Sequence, residues 1–273
     1  RNRGLDHATG KYVVFVDPDD WILPDYCLGL YNLQAAYSGR GLVIQGMLCR
    51  RTDGTSLPSL SLPDRYLPFS SIGKSFAENN ICEMGYAVSK IYARSIIEEF
   101  SIRFDENIHC LEDLLFMYQY LLHCDYLVLN HMQNYVYVKH SFSLSHRIHS
   151  FESEYCCFVK YQQLLAEMMK VWKIPAGDMV VTVNSMLVPF RRALKSDYQP
   201  DRTIPREMRV KHLKRMISES RDVFLKYYHP VFKTDKLGKV LLGFNCYILY
   251  DFYIRLLFRL NIGPVFYGPK HMY

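Results

Sequence analysis

Residues 11–26 read KYVVFVDPDDWILPDY, and their reading decides the fold class. The run from Lys11 to Asp17 is apolar, rich in β-branched and aromatic side chains, preceded by Gly10 and stopped by Pro18. That pattern predicts a buried parallel strand. Pro24 then opens a helical pattern over residues 24–38, with Gly39 just beyond it, as helix punctuation prefers. Strand, acidic loop and helix follow in that order. Asp17, Asp19 and Asp20 are therefore placed at the carboxyl end of a strand, where open α/β sheets hold their ligands.

Working outward, residues 41–50 (GLVIQGMLCR) read as one further strand, and residues 52–64, rich in Gly, Pro and Ser, as a loop. Residues 89–99 (SKIYARSIIEE) and 111–123 (LEDLLFMYQYLLH) have helical spacing of apolar residues. Residues 125–130 and 134–140 read as two strands with a turn between them near His131 to Asn134. The α/β alternation extends to about His140. After Ser150 the remaining apolar stretches, 152–172, 179–194, 206–228 and 237–260, all have helical period, with Pro175, Pro205 and Pro230 between them. An α/β domain over 1–150 and a helical region over 151–273 are the expected organisation.

The chain has 273 residues, 49% hydrophobic and 22% charged, enough for one sizeable core and a smaller second one. Eight cysteines without CxxC spacing fit a reducing compartment. A formal charge of +6 suits phosphate-bearing ligands or an anionic membrane surface and demands neither. Arg1, Asn2 and Arg3 lead into no apolar leader. Lys239, Asp251, Arg255 and Arg259 interrupt the most apolar stretch, 237–260, which argues against a membrane span. The expected place is the cytoplasm, with peripheral contact at the inner face of the membrane. That stretch is read as a helix lying in the interface, with packing on the α/β domain or a dimer seam as the alternative.

Two acidic clusters can carry chemistry. In DPDDW, residues 17–21, carboxylates close together can aim oxygens at one hard divalent cation, which is commonly held by one or two carboxylates together with substrate phosphates. An EF-hand is excluded, because the sixth residue from Asp17 is Ile22 and the twelfth is Leu28. A metal and phosphate site and a plain acidic turn both remain. In LEDLLF, Glu112 and Asp113 open an apolar helix, where acids also serve as caps and dipole partners. The basic runs PFRRALK and REMRVKHLKR accompany no nucleic-acid-binding signature, so no nucleic-acid partner is expected.

Taken together, these words resemble a known family. RNRGLDHATGKYVVFVDPDDWILPDY is similar to the stretch of family 2 glycosyltransferases in which an Arg-Asn-x-Gly-Leu run precedes a strand ending in Asp-x-Asp-Asp, with a Pro four residues on. SKIYARSIIEEFSIRFDENIHCLEDLLF resembles that family's second block, with its Lys-x-Tyr-x-Arg, Ile-Arg-Phe-Asp-Glu and Glu-Asp elements. YVYVKHSFSLSH resembles its closing Tyr-x-Tyr strand. The blocks cover residues 1 to about 147 in the right order. The family's opening strand and Pro-x-Tyr-Asn turn are not seen before Arg1, so an N-terminally incomplete GT-A domain is expected.

The resemblance implies an inverting transfer of a sugar from a nucleotide-diphosphate donor to a glycan or lipid-linked acceptor, in cell-surface polysaccharide or glycolipid synthesis. It implies Asp113 as base and Asp19 as the carboxylate on Mg2+ or Mn2+. Asp17, Arg1, Asn2 and Lys139 would bind the donor. Asp20, Glu112 and Trp21 would support the site, and His140, Ser143 and Ser145 would lie near the diphosphate. Asp113 is expected at an ordinary carboxylate pKa of about 3.9, in one cleft with Asp17 and Asp19 at the edge of a mostly parallel sheet. The competing reading is a catalytically inactive remnant that binds a partner.

Overall fold

The computed structural model describes residues 1–78, 81, 84–140, 147–174, 187–198, 203–221, 225–226, 228–230, 232–260 and 262. The chain forms two compact units. The first comprises Arg1–Glu106, Leu111–Arg147 and Glu167–Ile174; the second comprises Asn107–Cys110, Ile148–Ala166 and Pro175–Tyr273.

The first unit carries two sheets. One has the order β1 (Tyr12–Val13), β7 (Lys90–Ala93), β3 (Gly41–Gln45), β8 (Tyr126–Asn130) and β6 (Arg65–Pro68). The other has the order β2 (Trp21–Ile22), β9 (Tyr135–Lys139), β4 (Met47–Arg51) and β5 (Ser56–Leu60). Only β3 with β8 and β4 with β9 run parallel; every other described pair is antiparallel. The expectation of a mostly parallel sheet is thus corrected, because side-chain periodicity fixes which face a residue takes and carries no information on strand direction.

Three segment readings change as well. Residues 11–17 are not a buried parallel strand: Tyr12 pairs with Ala93 and Val13 with Tyr92 at the sheet edge, and the rest of the run leaves the ladder. Its apolar character is spent on Phe15, which is buried. Residues 41–50 are two strands in different sheets, broken at Gly46. A Cβ there would sit 2.5 Å from the carbonyl oxygen of Leu60, so only glycine lets the chain change sheets at that point. Residues 89–99 begin with β7 and only then become the short helix α4 (Arg94–Glu99).

Helices α1 (Asn2–His7), α2 (Tyr26–Ala35), α3 (Phe69–Glu78) and α5 (Glu112–Leu121) complete the main elements of this unit. An aromatic cluster ties the elements that matter for the site. The Phe15 ring meets Tyr92, Phe104 and Phe116 edge-on at centroid distances of 5.6, 5.3 and 5.7 Å, and Phe104 stacks on Phe116 at 4.2 Å. Each such pair contributes about 0.5–1.5 kcal/mol beyond its burial. Phe15 lies two residues before Asp17 and Phe116 three after Asp113. The cluster therefore holds the two acidic segments to one core.

The second unit is helical: most of α6 (Phe151–Trp172), then α7 (Leu187–Tyr198), α8 (Arg206–Ser220), α9 (Lys233–Gly243) and α10 (Tyr247–Arg259). Buried ion pairs fix how these helices meet. Arg192 donates to both Glu154 oxygens at 2.8 Å, and Arg209 grips Asp251 at 2.6 and 2.9 Å while Tyr198 donates to the same carboxylate at 2.8 Å. Arg209 and Arg215, part of the basic run noted in the sequence, are thus turned to partners, the latter to Glu152 at 3.0 Å. The stretch 237–260 is two helices rather than one. Asn245 adopts φ 57°, its N–H bonds the Leu242 carbonyl, and the Cys246 N–H bonds that of Leu241. This is a Schellman stop, which Asn tolerates better than most side chains. Among the described residues no helix is long and apolar enough to cross a membrane.

Candidate functional site

The site is assembled around one guanidinium. Arg1 Nη2 lies 2.8 Å from Asp17 Oδ1, while Nη1 contacts Asp113 Oδ1 and lies 3.3 Å from Glu112 Oε1. The same group stands 5.4 Å from the centre of the Phe104 ring, so the aromatic core that aligns the two acidic segments also supports the cation between them. Leu111, at φ 67°, occupies a backbone region that side-chain-bearing residues adopt rarely. It turns the chain into α5, whose first two residues are Glu112 and Asp113.

Asp113 is 20% exposed, and its Oδ2 accepts from the Ala87 N–H at 3.3 Å. Burial pushes its pKa up to about 7; Arg1 pulls the other way, and the nearby charges of Glu112 and Asp17 add to the rise. The expected ordinary carboxylate is thereby corrected. A sequence shows the acid but not the low-dielectric wall behind it.

The remaining acids of DPDDW divide their work. Asp20 is consumed by structure: Oδ2 accepts from the Tyr135 hydroxyl at 2.6 Å and Oδ1 from the Val138 N–H at 2.7 Å. The Asp17 N–H in turn donates to the Tyr135 oxygen at 3.1 Å, so this Tyr pins the whole turn to β9. Burial raises the Asp20 pKa, and these hydrogen bonds oppose the shift. Asp19 is different, 56% exposed on its side chain with one oxygen 3.3 Å from His140 Nε2. Trp21 is exposed in β2, opposite Val136. Lys139 closes β9 opposite Arg51, its side chain exposed.

Asn2 is engaged in the fold. Its amide accepts from the Phe104 N–H at 2.9 Å and donates to the Phe104 carbonyl at 2.8 Å. Arg1, Asn2, Arg3, Phe104, Glu106 and Glu112 line an open depression beside the acids. Ser143 and Ser145 lie outside the described residues.

Two residues of this region escaped the sequence reading. Tyr135 was visible only as part of a Tyr-x-Tyr strand, and Lys90 only as the Lys of Lys-x-Tyr-x-Arg. Lys90 is fully buried, donates to the carbonyls of Tyr86 and Val88, and stands 3.5 Å from the Tyr86 ring centre. Burial holds its pKa well below the usual lysine value. A lone lysine in an apolar β-branched stretch was the available signal.

Among the described residues no three His, Cys, Asp or Glu side chains gather into a metal cage. The donor set fits a divalent cation of another kind, one that takes one or two carboxylates and completes its shell with substrate phosphates and water. Asp19 is the member of the turn that projects into solvent, whereas both oxygens of Asp20 are taken by the protein.

The fold is that of a GT-A α/β domain with a helical C-terminal part. The fold is shared with solved structures of Staphylococcus aureus TarS. Its residues 1–349 in complex with UDP match at a TM-score of 0.65 and 16% identity, covering 96% of this chain and 70% of that one. The complex with UDP-GlcNAc matches at 0.61 and 15%, covering 95% and 71%.

Residues 1–100 match the family described as Glycosyl transferase family 2. EpsH of Bacillus subtilis (strain 168), named as a glycosyltransferase, is 31% identical over 106 residues, 38% of this chain and 30% of that protein. The succinoglycan biosynthesis protein ExoO of Rhizobium meliloti (strain 1021) is 27% identical over 128 residues, 43% of this chain and 34% of the relative. The matches span about a third of the length of these curated relatives. The likeness to family 2 glycosyltransferases thus rests on the N-terminal part of the chain.

Proposed function

We propose that the protein transfers a sugar from a nucleotide-diphosphate donor to an acceptor hydroxyl with inversion, in the synthesis of a surface polysaccharide or glycolipid. The observation that carries this reading is the meeting of Asp17 and Asp113 on Arg1, which joins the acidic turn of DPDD to the first turn of α5. In the proposed reaction Asp113 accepts the proton of the acceptor hydroxyl as its oxygen attacks the anomeric carbon. The bond from that carbon to the diphosphate oxygen breaks on the opposite face. A carboxylate poised near neutrality is matched to this task, since the best general base has a pKa close to the working pH.

Asp17 and Arg1 orient the donor, and Asp20 with Tyr135 keeps the turn in place. The Asp19 carboxylate would hold Mg2+ or Mn2+, which would supply neutralisation of charge on the departing nucleoside diphosphate. UDP bound to TarS and the ExoO name support a nucleotide donor and a polysaccharide product here.

Isothermal titration with UDP and Mn2+, run beside a turnover assay, tests the assignment. Asp19→Ala is expected to remove the metal-dependent part of UDP binding, and Asp113→Asn to leave binding intact and stop transfer. An Asp113→Asn protein with near-normal turnover refutes the base.

A further inference from the structure

Among its described residues, the helical unit carries an outward apolar face. In α10, Tyr250, Asp251, Ile254 and Leu257 are buried, whereas Ile248, Leu249, Phe252 and Leu256 are exposed at helical spacing on the other side. Phe244, 77% exposed at the break before α10, and Leu237 and Val240 of α9 are exposed too. Soluble surfaces rarely show so many large apolar side chains together unless something covers them.

Charge decides what that something is. Residues 233–260 contain two acids, and both are withdrawn from the surface: Asp235 pairs with Arg191 at 3.0 Å and buried Asp251 with Arg209. The exposed charges of the two helices are Lys233, Lys236, Arg255 and Arg259, all cationic. Arg255 and Arg259 lie at the spacing of Phe252 and Leu256 on the same helical face. A second copy of this face would set these arginines against their equivalents. An acidic lipid surface instead takes the apolar side chains among its acyl chains and the cations at its headgroups, as interfacial helices do.

We infer that α9 and α10 form a peripheral docking surface for anionic lipid bilayers, with Phe252 and its apolar neighbours inserted and Arg255 and Arg259 at the headgroups. The surface lies wholly within the second unit, so this inference stands or falls independently of the glycosyltransferase reading.

Flotation of the protein with vesicles of phosphatidylcholine alone, and of phosphatidylcholine with phosphatidylglycerol, provides the test. The protein is expected to float with the anionic vesicles, to float poorly with the neutral ones, and to be released as salt is raised. Each cation near an anionic surface strengthens binding roughly fivefold, so Arg255→Gln with Arg259→Gln should weaken it about twenty-fivefold. Both side chains are exposed, so the fold is expected to survive, and a far-UV melt checks it. In a second measurement, Phe252→Trp should shift its emission to the blue on adding anionic vesicles. Failure to float with anionic vesicles at low salt overturns the inference. So does unchanged flotation of the double arginine variant, or a dimer broken by Phe252→Ser in a protein that ignores vesicles.

Discussion

Asp17 and Asp113 accept hydrogen bonds from the two terminal nitrogens of a single guanidinium, that of Arg1. One lies four residues beyond β1 and the other in the first turn of α5, so the cation reports whether the two segments are in register with each other. It also lowers the cost of keeping several carboxylates close together.

That cation sets the pH at which the proposed base works. Asp113 stands at about 7 with Arg1 opposing the rise, so Arg1→Gln should push it higher. The acidic limb of the kcat/KM profile, near pH 7 in the parent protein, is expected to move upward in the variant. Activity should drop several-fold at pH 7 and partly recover at more alkaline pH. A profile whose limb stays in place, or moves down, contradicts the electrostatic role given to Arg1.

The same shift has a consequence for stability. A carboxyl whose folded pKa exceeds its unfolded value binds its proton more tightly when folded, so its contribution is present at low pH and is lost as pH rises through the folded value. For Asp113 the window runs from 3.8 to about 7. Asp113→Asn should therefore gain on the parent protein as pH climbs through this range, by roughly 1–3 kcal/mol at most after allowing for partial exposure. Thermal melts of both proteins at pH 5 and pH 8 measure the difference, and equal gaps at the two pH values would count against the raised pKa.

Asp20 is expected to behave as a structural acid. Asp20→Ala leaves the Tyr135 hydroxyl and the Val138 N–H without their acceptor, a loss of roughly 1–3 kcal/mol for each partner left unpaired. Tyr135→Phe should cost less and loosen the same turn, because Asp17 loses the oxygen that meets its N–H. Both variants should bind UDP more weakly and melt earlier. Asp19→Ala, at an exposed position, should melt like the parent.

Gly46→Ala should be among the most damaging small substitutions in the first unit. The added methyl would sit 2.5 Å from the Leu60 carbonyl, which belongs to β5 and has no side-chain freedom with which to yield. A loss of roughly 1–3 kcal/mol is expected from denaturant titration.

Much of the site could be read from the sequence, because the acids occur in short local patterns: DPDD after an apolar run and Glu112 with Asp113 at a helix start. The strands that frame them were harder. β5, SLPSL, reads as a loop by its Ser and Pro content, yet it forms an edge strand on β4 after the Gly54 turn, where Pro58 is tolerated. β7 was hidden by the helical spacing that continues into α4. The perturbed state of Asp113 and the burial of Lys90 depend on neighbours distant in sequence, which no local pattern encodes.

The two sheets share their central strands in a way that makes loop length a setting of the site. β3 runs on into β4 as β8 runs on into β9, with Gln45 opposite Asn130 in one sheet and Leu48 opposite Val136 in the other. Three steps along one strand thus correspond to six along the other. The excess is taken up near His131 to Asn134, where Asp64 receives the His131 N–H at 2.9 Å and Gln133 donates to the Leu60 carbonyl at 2.9 Å. The segment acts as a spacer whose side chains can be exchanged more freely than their number. One residue added or removed there would advance β9 by a notch, carry the Val138 N–H away from Asp20, and detune the acidic turn without touching a single one of its carboxylates.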